Sequence, residues 1–312
     1  MILVVAFVNG FTDAPNSVTA CVSTGVLPVK KALRIAAVSD FVGSVSVGLL
    51  SGKVYEKILT LTSFDCDEIT YDISVFSAML SVVVWAVSAW YFGLPTSESH
   101  SMLAGIFGSS VAVNGGFYNI NEWTNTLIGL FLSVLSGFIT GYILSYLMKR
   151  ILKNDVILKY DKYQIVLSIF SSYMHGAQDS QKFVGLIASV LSIKYKSLSN
   201  FYFVMIICSL IISLGVLTGG ERIINTIGND MVKLDKLSGL SADISGFICL
   251  LISTLCGIPS STTHIKTSSI LGAGIIKKEI NINILIKLII TWILTFPVCG
   301  MLSYIITAVI IK

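Results

Sequence analysis

Six long apolar blocks run through the 312 residues, and they constrain the fold more than any other feature of the sequence. A helix needs about 20 apolar residues to cross the hydrocarbon core of a bilayer, and most of the blocks reach that length. Charged residues form only 12% of the chain, against about 25% in soluble domains. The sequence therefore predicts a polytopic α-helical membrane protein. The blocks are residues 32–50, 73–92, 123–148, 197–217, 244–257 and 284–311.

Other classes of protein are disfavoured by the N-terminus, the cysteines and the charge. The opening segment, "MILVVAFVNG", lacks the basic residues of a signal peptide, so we expect the first helix to remain. The six cysteines are scattered without a C-x-x-C pair, which predicts neither a disulfide framework nor a metal centre. A net charge of +4 is too modest to predict nucleic-acid binding.

The placement of charge predicts the orientation in the membrane. Residues 149–162, "KRILKNDVILKYDK", contain five basic and two acidic side chains, which favours the cytoplasmic side. Residues 63–72 are acidic with no basic residue, and we place them outside. We accordingly divide the chain into a first transmembrane repeat at 1–148, a basic cytoplasmic linker at 149–162 and a second repeat at 163–312.

The division into repeats depends on two motifs that each occur twice. The stretch "GLPTSESH" from Gly93 matches "GIPSSTTH" from Gly257, 164 positions later. The stretch "NGFTDAPNS" from Asn9 matches "HGAQDSQKF" from His175, 166 positions later. Two motifs in the same order and at nearly the same separation indicate two homologous halves.

An odd number of membrane crossings in each half would invert the second half relative to the first. Inverted repeats with interrupted helices are typical of secondary transporters, whose binding site lies at the repeat interface near the bilayer midplane. The predicted fold is therefore an all-α polytopic membrane protein with two inverted-topology repeats and with interrupted and re-entrant half-helices.

The G-x-P motif predicts a half-helix that begins inside the membrane, because proline is well suited to the first turn of a helix. Such an N-terminus offers free N–H donors and a positive dipole end, and two of them would form a cage for a small oxyanion. Alternatively, the hydroxyls bond only to their own helix. The candidate anion-binding side chains are Thr96, Ser97, Ser99, Ser260, Ser261, Thr262 and Thr263.

The acidic motif predicts an interrupted helix in each half, and the opening of that helix forms a site for the coupling ion. A buried Asp costs about 2.5–3.5 kcal/mol at the bilayer centre, so the duplicated Asp13 and Asp179 are expected to have a function. With the amides of Asn16 and Gln178 they offer hard oxygen ligands for Na⁺ or a carrier for a proton. For Asp13, an ordinary helix cap is the alternative.

The two halves differ at two motif positions. Asn16 aligns with Lys182, whose ammonium cannot ligate a cation, and Glu98 aligns with Thr262. We predict that Lys182 either pairs with Glu98 across the repeat interface or faces the anion directly. The alternative is that Lys182 extends to the membrane surface and that Glu98 lines a cavity without a role.

The apolar segments contain a few further polar side chains. All three histidines, His100, His175 and His264, lie in motif stretches, where we expect them to orient neighbours rather than to contact the anion. Lys266 is expected to attract anions at a mouth or to reach the lipid headgroups. Asp40 is a further intramembrane acid with no counterpart in the other half, and its role stays open.

The four motif copies resemble the duplicated G-A-N-D-x-x-N and G-x-P-x-S-x-x-H elements of the inorganic phosphate transporter (PiT) family. The resemblance implies symport of phosphate with Na⁺ or H⁺ and no further cofactor. It also implies a homodimer in the lipid of the plasma membrane. It places the coupling ion, including a possible Na⁺, at Asp13, Asn16 and Asp179. Thr12, Gln178 and Lys182 depart from the signature, where Asn is usual.

Three other functions compete with phosphate symport. A donor cage also accepts sulfate, so a sulfate permease of the same fold is the first alternative. An intramembrane hydrolase using Ser99 or Ser261 is disfavoured, since Ser99 and His100 are adjacent and do not face each other on a helix. A passive channel gives no reason for the asymmetry between the halves at Lys182 and Glu98.

Overall fold

The computed structural model describes residues 1–50, 52–62, 66–114, 120–151, 157–195, 201–277 and 280–312. Within these ranges the chain forms thirteen α-helices, and the strand-like pairing is limited to one isolated bridge between Val232 and Ile280. The helices are α1 (Ile2–Thr12), α2 (Thr19–Ser23), α3 (Val29–Leu50), α4 (Lys53–Leu61), α5 (Glu68–Tyr91), α6 (Glu98–Asn114), α7 (Ile120–Ile151), α8 (Ile157–Tyr195), α9 (Phe201–Thr218), α10 (Glu221–Asn225), α11 (Lys236–Cys256), α12 (Thr262–Gly274) and α13 (Ile282–Ile311).

Four of the described helices, α5, α7, α11 and α13, are long and apolar enough to cross a membrane. A fifth span results if Tyr202–Thr218 and Glu221–Met231, which meet at an angle of 62°, are counted as one broken crossing. Side chains such as Phe131 and Ile293, each 66% exposed, give α7 and α13 an apolar outer surface. These helices confirm the prediction of a multi-pass membrane protein.

The helices of the two halves pack in an exchanged pattern. Helix α6 packs against α5 of its own half and α13 of the other, while its counterpart α12 packs against α11 and α7. In the same way α1 packs against α9, and α8 packs against α3. Each half therefore completes the other, as expected for two interlocked repeats.

Matched glycines allow this close packing. A Cβ at Gly108 on α6 would overlap the backbone carbonyl of Gly300 on α13, and a Cβ at Gly272 on α12 would overlap the carbonyl of Phe138 on α7. Gly272 follows Gly108 by 164 positions, the same offset as the motifs. Small residues at equivalent points let helix backbones approach closely, as is common between membrane helices.

Both half-helices begin next to the predicted motif, but three residues after Pro95 and Pro259, so the prolines precede the first turn and do not form part of it. Helix α5 ends two residues before Gly93, and helix α11 ends one residue before Gly257. The φ angles of these glycines are +71° and +68°, a backbone conformation that favours glycine. The next helices, α6 with 17 residues and α12 with 13, start just after the prolines. At 1.5 Å per residue both fall short of the roughly 30 Å hydrocarbon core.

The two acidic motifs are not equally interrupted, and the prediction of a broken helix around Asp179 is wrong. Asp13 lies between α1 and a 3₁₀ segment, Ala14–Val18, whereas Asp179 lies inside the continuous 39-residue helix α8. The physical reason is Pro15, which lacks the N–H that would continue α1 and aligns with Gln181 in the second half.

Charged pairs mark the two ends of the bundle. Lys149, near the end of α7, lies 3.6 Å from Asp235, and Lys236 lies 2.8 Å from Asp161 near the start of α8. We call this end the linker face, although residues 152–156 of the linker itself lie outside the described residues. At the other end of α7, Glu122 pairs with Lys57. Residues 63–65 of the acidic stretch also fall outside the described ranges, and the membrane side of each end stays a prediction.

Candidate functional site

Four chain segments bring buried charges together at the centre of the bundle. They are the break after α1, the middle of α8, and the N-termini of α6 and α12. We call their charged and hydroxyl side chains the central cluster, and none is more than 2% exposed. The cluster consists of Asp13, Glu98, Asp179, Lys182, Thr262 and Thr263.

The Asp13 carboxylate accepts three hydrogen bonds. The Thr262 hydroxyl donates to Oδ2 over 2.9 Å, and the Thr263 hydroxyl donates to Oδ1 over 2.5 Å. The Asn16 amide donates to Oδ1 over 3.1 Å. Two of these donors come from the first turn of α12, so the acidic motif of one half is bonded to the half-helix of the other.

The Asp179 carboxylate is held mainly by groups of α8 and α1. Lys182 Nζ lies 2.6 Å from Oδ1, and the Asn9 amide donates to Oδ2 over 2.9 Å. The Thr262 hydroxyl also lies 3.3 Å from Oδ2, so this single threonine bridges the acidic residues of both repeats. Asp13 and Asp179 are thus brought together, as the duplicated motif predicts.

Lys182 is completely saturated by oxygen acceptors. Besides Asp179, its ammonium donates to Ser99 Oγ over 2.5 Å and to the backbone carbonyl of Ser260 over 2.9 Å. An ammonium has three N–H donors, so none remains for Glu98. The predicted pairing of Lys182 with Glu98 is therefore wrong. Glu98 is instead bonded to the hydroxyl of Thr12, the residue that replaces the usual Asn.

His175 connects the cluster to a third buried acid. Its Nδ1 lies 2.7 Å from Asp40 Oδ1, and its Nε2 lies 3.4 Å from Asp179 Oδ2. The sequence shows Asp40 as an acid in an apolar helix, where acids are rarely without a function, but predicts no role for it. Asn9 was not among the predicted site residues.

The other predicted hydroxyls cap the half-helices or bond within them. Ser97 Oγ accepts the N–H of His100 over 3.1 Å, and Ser261 Oγ accepts the N–H of His264 over the same distance. The Thr263 hydroxyl, which donates to Asp13, also lies 3.0 Å from the Thr96 carbonyl. The structure therefore brings every predicted hydroxyl residue to the two half-helix starts. The hydroxyls engaged there by protein groups are those of Ser97, Ser99, Ser260, Ser261, Thr262 and Thr263.

Gln178 supports the start of α12 from the side. Its amide nitrogen donates to the carbonyl of Ile258 over 2.8 Å and to Ser260 Oγ over 3.1 Å, while its oxygen accepts the Thr254 hydroxyl. Because these groups lie in the last turn of α11 and in the turn between α11 and α12, Gln178 positions this turn. It does not contact the two carboxylates in this conformation.

His100 and His264 meet across the repeat interface. Their rings pack edge to face with centroids 5.7 Å apart, and His264 also packs on Trp292 at 4.5 Å. The indole of Trp292 donates to the carbonyl of Pro95 in the other half. The two histidines thus join the half-helix starts, in keeping with the expected supporting role.

Several atoms in and beside the central cluster are suitable ligands for a cation. Ligand atoms of Asp13, His175 and Asp179 lie within 4.8 Å of one another. The amide oxygens of Asn9 and Asn16 are buried and accept no hydrogen bond from the described part of the chain. Carboxylate and amide oxygens suit hard cations, and a carboxylate also carries a proton.

Lys266 reaches neither an opening of the bundle nor the lipid headgroups, so the prediction that it does is wrong. Its side chain is buried, and its ammonium lies 3.0 Å from Asp243 and 2.8 Å from Ser171 Oγ. Lys266 follows the start of α12 by one turn and points into the bundle because Gly246 on α11 leaves room for its stem.

Comparisons with known proteins agree with the geometry. A family model described as the phosphate transporter family matches the chain twice in succession, over residues 9–160 and 153–303. The two matches correspond to the two predicted repeats. The resemblance found in the motifs is therefore confirmed along nearly the whole chain.

Individual relatives cover the same length. A protein of Rhizobium meliloti named "Probable low-affinity inorganic phosphate transporter" is 32% identical over 309 residues, with 95% of this chain and 90% of the relative aligned. A protein of Bacillus subtilis with the same name is 30% identical, with 95% and 91% aligned. These relatives are transporters and not enzymes.

A solved structure has the same fold. It is titled "The sodium-dependent phosphate transporter" and superimposes with a TM-score of 0.84 over 99% of this chain and 96% of that one. At 20% sequence identity this match supports the architecture of the bundle. It confirms the predicted fold class.

Proposed function

The chain belongs to the phosphate transporter family, and from this membership we propose that it is a symporter that carries inorganic phosphate across a membrane together with a cation. Phosphate binds between the starts of α6 and α12, where two helix N-termini and seven hydroxyl side chains converge. Free N–H groups and the positive dipole ends of helices favour an anion at this position.

One observation carries the coupling to a cation: the Thr262 and Thr263 hydroxyls donate to Asp13. A hydroxyl has a single hydrogen and cannot donate to Asp13 and to phosphate at the same time. A proton or Na⁺ at Asp13 neutralises the carboxylate and releases both hydroxyls. The cation therefore removes a repulsive charge and provides donors for phosphate in one step.

Lys182 acts as a permanently attached cation at the second, pseudo-symmetric position. Its ammonium is surrounded by a carboxylate, a hydroxyl and a carbonyl oxygen, which is the kind of ligand set that a small hard cation prefers. The first repeat has Asn16 at this position. The Lys182 ammonium thereby replaces one mobile cation. The cation that drives transport binds at Asp13.

The coupling ion is bound by one of two groups of atoms at Asp13. The adjacent carboxylates Asp13 and Glu98 provide a site for a shared proton, since two close carboxylates do not both ionise readily. The amide oxygens of Asn9 and Asn16 provide ligands for Na⁺. The solved relative is sodium-dependent by its title, and transport measurements on this chain distinguish the two ions.

Phosphate rather than sulfate suits the acids in the cluster. Near neutral pH phosphate retains a proton that Glu98 or Asp179 can accept in a hydrogen bond, while sulfate has none to donate. A site that pairs donors with acceptors rejects the analogue that leaves a buried acceptor unpaired.

Uptake of labelled phosphate into proteoliposomes tests the proposal. We expect uptake with either a proton gradient or a Na⁺ gradient, no concentrative uptake without either, and little inhibition by excess sulfate. The Asp13→Asn variant should lose gradient-driven uptake. Glu98→Gln should abolish uptake driven by protons and leave uptake driven by Na⁺. Concentrative uptake by Asp13→Asn, or complete inhibition by sulfate, would contradict the proposal.

We also propose that the protein works as a homodimer in the plasma membrane and that its repeats are residues 1–148 and 163–312, joined by the linker at 149–162. The exposed apolar side chains of α7 and α13 provide area for contact with lipid or a second copy. Cross-linking in native membranes at increasing dilution in lipid tests the dimer, and a purely monomeric protein would refute it.

A further inference from the structure

A second buried ion pair lies outside the central cluster. Lys266 Nζ on α12 is 3.0 Å from Asp243 Oδ1 on α11 and 2.8 Å from Ser171 Oγ on α8. All three residues are fully buried. We call them the lysine cluster. None of them has a part in the coupling described above.

The lysine cluster lies between the central cluster and the linker face. Lys266 follows Thr262 by one turn of α12, and Ser171 precedes Asp179 by about two turns of α8, toward the linker. Beyond it, the Gln164 amide lies 3.4 Å from Asp243, and Asp161 follows at the half-exposed linker face.

One face of α8 is consequently polar from the central cluster to the linker face. The polar residues recur every three or four positions, which places them on the same side of the helix. They are Asp161, Gln164, Ser168, Ser171, His175 and Asp179. Buried hydrophilic side chains in such a continuous row mark a route for a hydrophilic substrate through a membrane protein.

The first repeat has no counterpart of the lysine cluster. The positions that match Ser171, Asp243 and Lys266 by the motif offsets are apolar and equally buried, and they belong to one hydrophobic cluster. Gly246, which makes room for the lysine stem, is likewise matched by a larger residue. The matching residues are Val5, Met79, Met102 and Val82.

The fold therefore accepts an apolar set at this position, and stability does not explain the ion pair. A buried pair loses so much hydration that replacing it by well-packed apolar residues is often neutral or stabilising. An ion pair, unlike a pair of methionines, can exchange partners, because an ammonium can leave one anion for another.

We propose that Lys266 is a second phosphate-binding station, occupied in transit between the central cluster and the linker face. Phosphate replaces Asp243 as the partner of the ammonium and also accepts from the Ser171 hydroxyl. Asp243 keeps the Gln164 amide as a donor, and it returns to Lys266 when the anion leaves. This proposal rests on the function proposed above, because it takes phosphate as the substrate.

Equilibrium binding of labelled phosphate to the purified full chain tests the station directly. The wild-type protein should bind one phosphate per chain, at the central cluster. In Asp243→Asn, the unpaired ammonium of Lys266 should retain a second phosphate, whereas the double variant D243N/K266M should bind one. A single phosphate bound by Asp243→Asn would overturn the proposal.

Transport by a repeat-swapped variant provides the second test. The variant D243M/K266M places the methionines of the first repeat in the second, so we expect it to fold, to bind phosphate within about threefold of the wild-type Kd and to lose uptake by at least about tenfold. Unchanged uptake would overturn the transit role. If uptake is lost while Asp243→Asn binds one phosphate, the lysine cluster is a gate and not a station, and the proposal fails. Wild-type protein that binds no phosphate would instead refute the proposed function itself.

Discussion

The Thr263 hydroxyl donates to the Asp13 carboxylate over 2.5 Å, although the two residues are 250 positions apart. The bond joins the interrupted helix of the first repeat to the half-helix of the second. It means that the charge on Asp13 determines whether the first turn of α12 has a free hydroxyl. A change at one motif is therefore transmitted directly to the other.

Replacing Thr263 by Val should weaken phosphate binding by about tenfold, which corresponds to about 1.4 kcal/mol, because one hydroxyl donor is lost at nearly constant volume. The dependence of binding on the coupling ion should weaken too, since Asp13 no longer competes for that hydroxyl. Phosphate Kd measured at low and high concentrations of the coupling ion checks both effects.

Thr307→Val is the matched control, because Thr307 is equally buried but lies near the end of α13, away from the cluster. It should bind phosphate like the wild-type protein. If both variants bound phosphate normally, the hydroxyl of Thr263 would not take part in binding.

Replacing Lys182 by Asn should make transport depend on an additional mobile cation. The change removes the attached ammonium and restores the amide present at Asn16 in the first repeat. Asp179 then lacks its nearest cation, so uptake should rise more steeply with the concentration of the coupling ion, with a Hill coefficient higher than that of the wild-type protein.

Lys57→Asn removes a lysine from the opposite end of the bundle, where it pairs with Glu122, and serves as the control. Its ion dependence should match the wild-type protein. An unchanged Hill coefficient in Lys182→Asn, with uptake retained, would show that Lys182 does not occupy a cation position.

Methyl groups at the exchanged helix contacts should destabilise the bundle. In Gly108→Ala or Gly272→Ala the new Cβ overlaps a backbone carbonyl of the facing helix, which cannot move away as a side chain could. We expect a loss of about 1–3 kcal/mol, as for other overpacked positions. Thermal unfolding in detergent measures it. Gly52→Ala should have no comparable effect, because its nearest neighbour is a side-chain atom of Tyr55 at 3.6 Å.

Asp235 at the linker face should contribute stability that depends on pH. Burial raises its pKa, but the Ser238 N–H and the ammonium groups of Lys277 and Lys149 outweigh burial and hold the pKa below the usual 3.8. The ionised carboxylate therefore stabilises the fold above about pH 4, and the effect is lost as the pH falls through the lowered pKa.

The Asp235→Asn variant should consequently melt at a lower temperature than the wild-type protein at pH 7. The two melting temperatures should converge as the pH falls through the lowered pKa, because the wild-type carboxylate then becomes protonated. A series of thermal unfolding measurements from pH 7 downward in the same detergent makes the comparison. A difference that stays constant over the whole acidic range would show that the charge of Asp235 is not the cause.

The sequence predicted those parts of the site that depend on local chemistry. Gly93 and Gly257 adopt positive φ angles at the two turns, and the half-helices start three residues after Pro95 and Pro259. Such breaks follow from the backbone preferences of glycine and proline, which can be recognised in a single stretch of chain.

The partners of the buried charges could not be predicted in this way. Lys182 has acceptors on α6 and in the turn before α12, Lys266 pairs with Asp243 on another helix, and His175 pairs with Asp40 from a distance of 135 positions. Each choice of partner depends on which helices are neighbours, and the exchanged packing places helices of different repeats together. The continuity of α8 through Asp179 depends on the absence of proline, which the motif alignment shows as Gln181 against Pro15.

The exchanged packing also determines the order in which the protein can be assembled. Helix α6 carries Glu98 into the membrane, but one of its main packing partners, α13, leaves the ribosome only after the other described helices. Helix α1 is likewise synthesised before its partner α9. The nascent first half therefore has no complete set of neighbours of its own, and loss of α13 exposes a polar half-helix to lipid.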